Sequence, residues 1–111
     1  VSFKFSEDVG RVAENLVFIE LKRRGKEAYY WKGKQEVDFV IKENLKPARL
    51  IQVSWDIENE KTKNREVNAL LEGMNEFKLS EGLIITGDYS GEEEISGKTI
   101  KYVPLWRWLL D

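Results

Sequence analysis

Polar side chains that can bind a hard metal ion interrupt two apolar segments near the middle of the chain. Asp38 lies inside EVDFVIK, residues 36–42, while Gln52 and Ser54 alternate with apolar residues in LIQVSW, residues 50–55. Successive side chains of a β-strand point to opposite faces, so Gln52 and Ser54 are expected to share one face. If the two strands pair, Asp38 lies beside them, and together these oxygens suit the coordination chemistry of Mg²⁺ or Mn²⁺.

A second carboxylate comes from the first predicted helix. Glu14 is followed at i+3, i+4 and i+7 by apolar residues, so it lies along an apolar stripe and is expected to point towards the sheet. We therefore predict that Glu14, Asp38 and Gln52 converge within about 6 Å and form a weak Mg²⁺ or Mn²⁺ site. Carboxylates are tolerated in such a place because the ion offsets their repulsion.

A closed polar network without an ion is the alternative interpretation of the same residues. Glu14 could pair with Arg11 or with a strand amide, and Asp38 could accept hydrogen bonds from Gln52 and Ser54. Lone polar residues in strands are usually satisfied by their neighbours in this way. A metal ion bound between Glu14, Asp38 and Gln52 would distinguish the two interpretations.

Composition limits the chemistry that any site in this chain can use. The 111 residues contain no Cys and no His, which excludes a disulfide framework, a zinc site of the usual kind and an imidazole base. Any catalysis must therefore use carboxylates, lysines, hydroxyls or a hard metal. No apolar run approaches the ~20 residues that span a bilayer, and the N-terminus lacks a signal-peptide pattern, so a cytoplasmic protein without a membrane partner is expected. The 34% charged content favours a thermophilic source.

Basic residues are concentrated in the first third of the chain. Residues 1–34 contain 8 Lys and Arg against 5 Asp and Glu, whereas the remaining residues contain 10 against 15. Much of the excess lies where the first helix ends, at Lys22, Arg23, Arg24 and Lys26. These cations either complement the negative end of the helix dipole or contact the phosphates of a nucleic acid.

Apolar periodicity predicts an α/β fold in a single domain. The predicted elements are a helix from Ser6 or Asp8 to about Arg24, strands at residues 27–32, 36–42 and 50–55, a helix at 59–78, a strand at 82–86, a polar loop at 87–98, a strand at 99–103 and a short helix at 104–110. An α-β-β-β-α-β core is therefore followed by an extra strand and a short C-terminal helix.

This order, with its polar residues, resembles the PD-(D/E)XK nuclease fold of Holliday junction resolvases and many restriction enzymes. The core of that family is α-β-β-β-α-β and carries a helix Glu, a strand Asp and Glu-x-Lys on the next strand. Glu14 matches the helix acid and Asp38 the strand acid, but QVS, residues 52–54, stands where Glu-x-Lys would be. The resemblance implies a restriction-endonuclease-like core with a degenerate catalytic site at Glu14, Asp38, Gln52 and Ser54.

The missing charged groups weaken the chemistry that this resemblance implies. In such a nuclease two carboxylates hold the metal, while the lysine activates the attacking water and stabilises the phosphorane-like charge. Gln52 brings no negative charge, and Ser54 cannot replace an ammonium group. Lys61 or Lys63, at the start of the second helix, is the best placed lysine to substitute for the missing one.

Nearly the whole chain has a closer resemblance. ENLVFIELKRRG, YYWKGKQEVDFVIK and VPLWRWLL look like the nuclease-fold domain at the C-terminus of archaeal and bacterial P-loop (AAA+-like) ATPases. The chain contains no GxxxxGKS or GxxxxGKT motif, so residues 1–111 are expected to be the C-terminal part of a larger ATPase, with the ATPase domain as partner. The chain is then either an accessory domain that binds protein or nucleic acid without cutting it efficiently, or a Mg²⁺- or Mn²⁺-dependent DNA or RNA endonuclease.

Aromatic residues near the chain end suggest a further contact. PLWRWLL, residues 104–110, contains two of the four tryptophans of the chain. This segment either folds back and caps the core or forms part of an interface, because Trp and Arg are favoured interface anchors. A homodimer is therefore expected as an alternative to docking on an ATPase domain.

Overall fold

A six-stranded sheet and three helices form the chain, and the computed structural model describes residues 5–111. The elements in chain order are α1 (Phe5–Arg23), β1 (Glu27–Lys32), β2 (Glu36–Glu43), β3 (Lys46–Val53), α2 (Glu60–Phe77), β4 (Glu81–Thr86), β5 (Gly91–Ile95), β6 (Lys98–Pro104) and α3 (Leu105–Leu110). The predicted α/β class and the order of its core elements are confirmed. The predicted helix start at Ser6 or Asp8 is not seen, because α1 already includes Phe5.

The sheet combines antiparallel and parallel strand pairs. Its strand order is β1-β2-β3-β4-β6-β5. β2 runs antiparallel to β1 and β3, whereas β3 pairs in parallel with β4, and β4 in parallel with β6. Parallel neighbours require a crossover connection, and α2 supplies it between β3 and β4.

The two faces of the sheet carry separate apolar clusters. α1 and α3 cover one face, where Ala13, Val17 and Leu21 pack on β2, β3 and β4 together with Leu105 and Trp108. α2 covers the other face, and its buried residues belong to the second cluster. The burial of Leu105 and Trp108 confirms that the C-terminal segment folds back onto the core.

Local signals account for the end of α1. Gly25 has a φ of 73°, a left-handed conformation that glycine adopts without steric penalty. The N–H of Lys26 donates to the Leu21 carbonyl at 2.9 Å, and the N–H of Gly25 donates to the Lys22 carbonyl at 2.9 Å. These are the two hydrogen bonds of a Schellman motif, so the helix ends where the sequence predicts.

One strand lies where the sequence predicts a loop. β5 occupies Gly91–Ile95, inside the polar segment 87–98, and pairs antiparallel with β6. Ser96 and Gly97 both have positive φ, 53° and 78°, as a tight hairpin turn requires. Three consecutive glutamates leave this segment without the apolar pattern that would predict a strand. They are tolerated because β5 lies at the edge of the sheet, where side chains reach water.

None of the helices within residues 5–111 is long and apolar enough to cross a membrane.

Candidate functional site

The candidate site lies where β2 and β3 separate. Regular pairing of these strands ends at Phe39 and Ile51. Beyond that pair, the Asp38 N–H donates to Gln52 Oε1 at 2.8 Å, and the Val53 N–H donates to Asp38 Oδ2 at 2.8 Å. Each of these two side chains therefore replaces a main-chain partner on the neighbouring strand, which satisfies backbone groups that the separating strands would leave unpaired.

Gln52 connects three elements through its side-chain amide. Its Nε2 donates to the Glu36 carbonyl at 3.0 Å and to the Glu66 carbonyl at 3.4 Å, while its Oε1 accepts the Asp38 N–H. The residue is 0% exposed. Gln52, on β3, thus binds main-chain groups of β2 and α2, and both of its amide hydrogens are used.

Asp38 is a half-buried carboxyl group among other acids. Burial is the main cause that raises the pKa of Asp38 to about 7, and the nearby charges of Glu14, Glu66 and Glu36 raise it further. The hydrogen bond from the Val53 N–H opposes this rise. The charge of Glu14 therefore acts on Asp38, and the carboxyl group of Asp38 accepts a proton near neutral pH.

Glu66 belongs to the same acidic group and was not predicted as a site residue. Burial raises the pKa of Glu66, Arg65 opposes the rise, and the charges of Glu14 and Glu36 add to it. A sequence signal for Glu66 exists, because it is followed at i+1 and i+4 by buried apolar residues of α2. Glu36 could have been found from its position two residues before Asp38, on the same side of β2.

These residues do not form a ready metal centre. Across the described residues 5–111, no group of three or more acidic side chains is arranged to hold a metal ion. The Oε1 of Gln52 faces the Asp38 N–H rather than a shared centre with Glu14. The predicted set of Glu14, Asp38 and Gln52 has oxygen chemistry suitable for Mg²⁺ or Mn²⁺, and its metal role stays a prediction.

The remaining members of the predicted catalytic set lie as follows. Ser54 is buried, and its N–H donates to the Ile85 carbonyl at 2.9 Å. Lys63 Nζ lies 3.9 Å from Glu93 Oε1 and 5.5 Å from the centre of the Tyr102 ring. These partners are on β5 and β6, and β6 is two strands beyond β3 in the sheet, roughly 10 Å away at the usual strand spacing.

Lys63 is therefore not brought together with Asp38. Lys61 is exposed in the first turn of α2. The proposed role of either lysine as a substitute for the missing one stays a prediction.

Arg23 and Arg24 of the predicted nucleic-acid patch bind one acid. Arg23 Nη2 lies 2.7 Å and Arg24 Nε 2.6 Å from Oε2 of Glu20. Hydrogen bonds from these two arginines lower the pKa of Glu20 to about 2. Arg24 also donates to the Trp108 carbonyl at 3.0 Å, with its guanidinium 4.6 Å from the Trp108 ring centre.

Lys22 and Lys26 complete that patch. Lys22 Nζ lies 5.5 Å from the centre of the Phe18 ring, and Lys26 Nζ lies 3.8 Å from Glu43 Oε2. All four basic residues therefore have contacts within the chain. Contact with nucleic acid stays a prediction.

Two comparisons with known proteins each found a match over most of the chain. The profile of a domain family described as a domain of unknown function, DUF4143, matches residues 9–108. An uncharacterized protein of the archaeon Methanocaldococcus jannaschii is 40% identical over 98% of this chain. The chain spans only 26% of that relative's length.

Proposed function

The chain belongs to the DUF4143 domain family, and we propose that it is a nuclease-like accessory domain of a larger ATPase. In this proposal it binds protein or nucleic acid and does not cut nucleic acid efficiently. The observation that carries the proposal is the side-chain amide of Gln52. Its hydrogen bonds commit it to the main chain of β2 and α2, and in this proposal it stands where the nuclease family has a metal-binding glutamate.

The nuclease-like ancestry is supported by topology and by two acids. Elements α1 to β4 have the α-β-β-β-α-β order of the PD-(D/E)XK core, with an antiparallel β1-β2-β3 unit followed by a parallel β4. Glu14 on the first helix and Asp38 on the second strand take the positions of the two acids of that family. In this proposal β5, β6 and α3 are additions to a restriction-endonuclease-like core.

Loss of efficient cleavage follows from the groups that surround Asp38. Phosphodiester hydrolysis in such a site needs charged metal ligands and a cation beside the scissile phosphate. Gln52 supplies no charge, Ser54 supplies no ammonium group, and Lys63 lies beside Glu93. The acids left around Asp38 repel one another and also repel a phosphate, so substrate binding at this point is unfavourable without a metal.

A contact surface for the rest of the parent protein is available on α1. Val12, Leu16 and Ile19 recur at i, i+4 and i+7 and are 58%, 41% and 60% exposed. Such a stripe is apolar on the side of the helix that does not face the sheet, which is typical of a contact surface. The relative is about four times as long as this chain, so a parent protein of similar length has room for further domains. We propose an ATPase domain of such a parent as the partner, with a homodimer as the alternative.

A second candidate function is a Mg²⁺- or Mn²⁺-dependent endonuclease. The observation in its favour is the group of acids around Asp38, which a divalent ion would stabilise by offsetting their repulsion. In this candidate function Glu14 and Asp38 act as ligands after Gln52 changes its side-chain conformation. That change would break the hydrogen bonds of Gln52 to three main-chain groups.

Cleavage assays distinguish the two functions. Plasmid, single-stranded and branched DNA and a structured RNA are incubated with the purified chain and either Mg²⁺ or Mn²⁺. The accessory-domain proposal predicts no cleavage above that of a matched preparation of Asp38→Asn. Robust cleavage that Glu14→Gln and Asp38→Asn both abolish would establish the endonuclease and contradict the proposal.

Restoring the family pattern provides a positive control for the same assay. Gln52→Glu with Ser54→Lys supplies a third anionic ligand and a cation, each of which contributes several kcal/mol to transition states of this kind. Burying the introduced lysine destabilises the fold unless the introduced glutamate pairs with it, so the double variant is expected to be better tolerated than Ser54→Lys alone. Circular dichroism before the assay verifies that each variant is folded.

A further inference from the structure

A groove of about 620 Å³ opens on the face of the sheet that α1 and α3 cover. Its lining includes the starts of β3 and β4, at Ala48 and Glu81, and the last residue of the chain, Asp111. The acidic group around Asp38 lies at the opposite end of these strands, where β3 finishes at Val53. The groove is therefore separate from the candidate site.

Apolar side chains form the floor of this groove. Ile41, Ile51, Leu83 and Val103 come from four neighbouring strands and point to the same face, and Trp108 of α3 lies beside them. Leu83 and Val103 are only half-buried, because neither α1 nor α3 extends over them completely. The floor therefore exposes apolar surface that an apolar ligand could remove from water.

Four cations and two acids surround the apolar floor. The cations are Arg24, Lys26, Arg49 and Lys101, and the acids are Glu81 and Asp111. Lys26 Nζ and Arg49 Nε share a single acid, at 3.8 Å and 3.6 Å from Glu43 Oε2. One positive charge of this pair is therefore not balanced by Glu43.

The ion pairs on the rim are easily exchanged for contacts with a ligand. Lys101 Nζ lies 3.3 Å from Glu81 Oε2, and both side chains are largely in water. Exposed pairs of this kind contribute little to stability, so their cations remain available to another anion. A helix-dipole role explains Arg24 and Lys26 at the end of α1. It does not explain Arg49 and Lys101, which lie on strands.

We propose that this groove binds an organic anion: an alkyl or aryl group that carries one carboxylate or phosphate. The apolar body lies on the floor between Ile51, Leu83 and Val103, and the anionic group reaches Lys26 and Arg49. The volume of the groove falls within the ~300–1,000 Å³ range of small-molecule sites. The proposal does not depend on whether the Asp38 site cuts nucleic acid.

The test is a titration of the 111-residue chain followed by two-dimensional ¹H–¹⁵N NMR. Decanoate and decyl phosphate are the anionic probes, and decyltrimethylammonium is the control with the same alkyl chain and the opposite charge, all below their micelle concentrations. We expect both anions to bind at least about tenfold more tightly than the ammonium probe, with shifts centred on Leu83, Val103 and Trp108. The tighter of the two anions identifies the preferred head group.

Charge variants locate the anionic group. Lys26→Gln with Arg49→Gln is expected to weaken binding of decanoate about tenfold, because it removes the two cations that share Glu43. Lys32→Gln removes an exposed cation that does not line the groove, and it is expected to leave the affinity unchanged. All of these side chains are exposed, so the variants keep the fold.

The proposal is overturned if decyltrimethylammonium binds as tightly as decanoate. It is equally overturned if the shifts centre on Val12, Leu16 and Ile19 of α1, or if the double variant binds decanoate as the wild type does.

Discussion

Charged side chains at the two ends of the sheet differ in their access to water and in their partners. Asp38 and Glu66 are partly buried, the Asp38 carboxylate accepts the main-chain N–H of Val53, and burial raises the pKa of Asp38 to about 7. Around the groove Lys26, Arg49 and Lys101 are exposed and paired loosely, as in Lys26 with Glu43 at 3.8 Å. Around Asp38, hydrogen bonds stabilise the fold while burial disfavours the charged form of the carboxyl group. Around the groove, the charges remain available for a ligand.

The largest effect is expected at the buried end, from Gln52→Ala. The substitution removes the acceptor of the Asp38 N–H and the donor to two carbonyls, and it leaves a cavity between the sheet and α2. We expect a loss of about 3 kcal/mol in the free energy of unfolding. Urea denaturation at pH 7 measures it, with exposed Asn75→Ala on α2 as the control; a loss below about 1 kcal/mol would mean that Gln52 does not hold the elements together.

A pH-dependent effect is expected next, from Asp38→Asn. In wild type the folded-state pKa of Asp38, about 7, lies above its ordinary value of 3.8. Between pH 3.8 and about pH 7, folding is therefore accompanied by uptake of a proton at Asp38. The contribution of Asp38 to the free energy of unfolding of wild type consequently falls as pH rises from about 4 to 7, and Asp38 causes no further change above about pH 7. Asn at position 38 can still accept the Val53 N–H through its amide oxygen.

The difference in stability between Asp38→Asn and wild type is therefore expected to grow in favour of the variant across that pH range, by on the order of 3 kcal/mol. Urea denaturation of both proteins at several pH values measures this difference and cancels the titration of groups they share, including Glu66. A difference that stays constant with pH would show that Asp38 has an ordinary pKa.

A smaller effect is expected on the pKa of Asp38 itself. Glu14 contributes more than Glu36 to the rise in the pKa of Asp38. Glu14→Gln should therefore lower this pKa more than Glu36→Gln does, in both cases by less than about one unit. Carboxyl ¹³C NMR titrations of the two variants compare them directly, and a larger decrease with Glu36→Gln would place Glu14 away from Asp38.

The smallest effect is expected at the groove, from Glu43→Gln. This change removes the one acid shared by Lys26 and Arg49, so it should tighten binding of decanoate about twofold to threefold at low salt. The same titration after Glu58→Gln, an exposed acid that does not line the groove, serves as the control. Unchanged affinity would indicate that the shared acid does not compete with the ligand.

Sequence reasoning succeeds in this fold where the determining signal is local. Gly25 marks the end of α1 through its positive φ, and periodic apolar residues identify both long helices. The sequence does not predict β5, because the strand conformation of this segment depends on pairing with β6, and three consecutive glutamates do not indicate that contact.

The candidate site, too, could be predicted from sequence only where the determining signal is local. The pattern of apolar and polar residues predicts that Asp38 and Gln52 lie on neighbouring strands, and the structure places them in contact. The sequence allows a closed polar network as an alternative, but with Asp38 accepting hydrogen bonds from the side chains of Gln52 and Ser54. The Asp38 carboxylate instead accepts the main-chain N–H of Val53, because the strands separate beyond the Phe39–Ile51 pair. That separation depends on packing across the whole sheet, which no short motif encodes.

Crystals soaked in Mn²⁺ test the central claim most directly, which is that Gln52 closes the Asp38 site as a polar network. A concentration of about 10 mM exceeds the roughly millimolar Kd of a weak site, and anomalous scattering locates any bound ion. We predict no anomalous peak at coordination distance from Asp38, with Gln52 Oε1 still accepting the Asp38 N–H. An ion bound jointly by Glu14, Asp38 and Gln52 would contradict this account and favour the endonuclease.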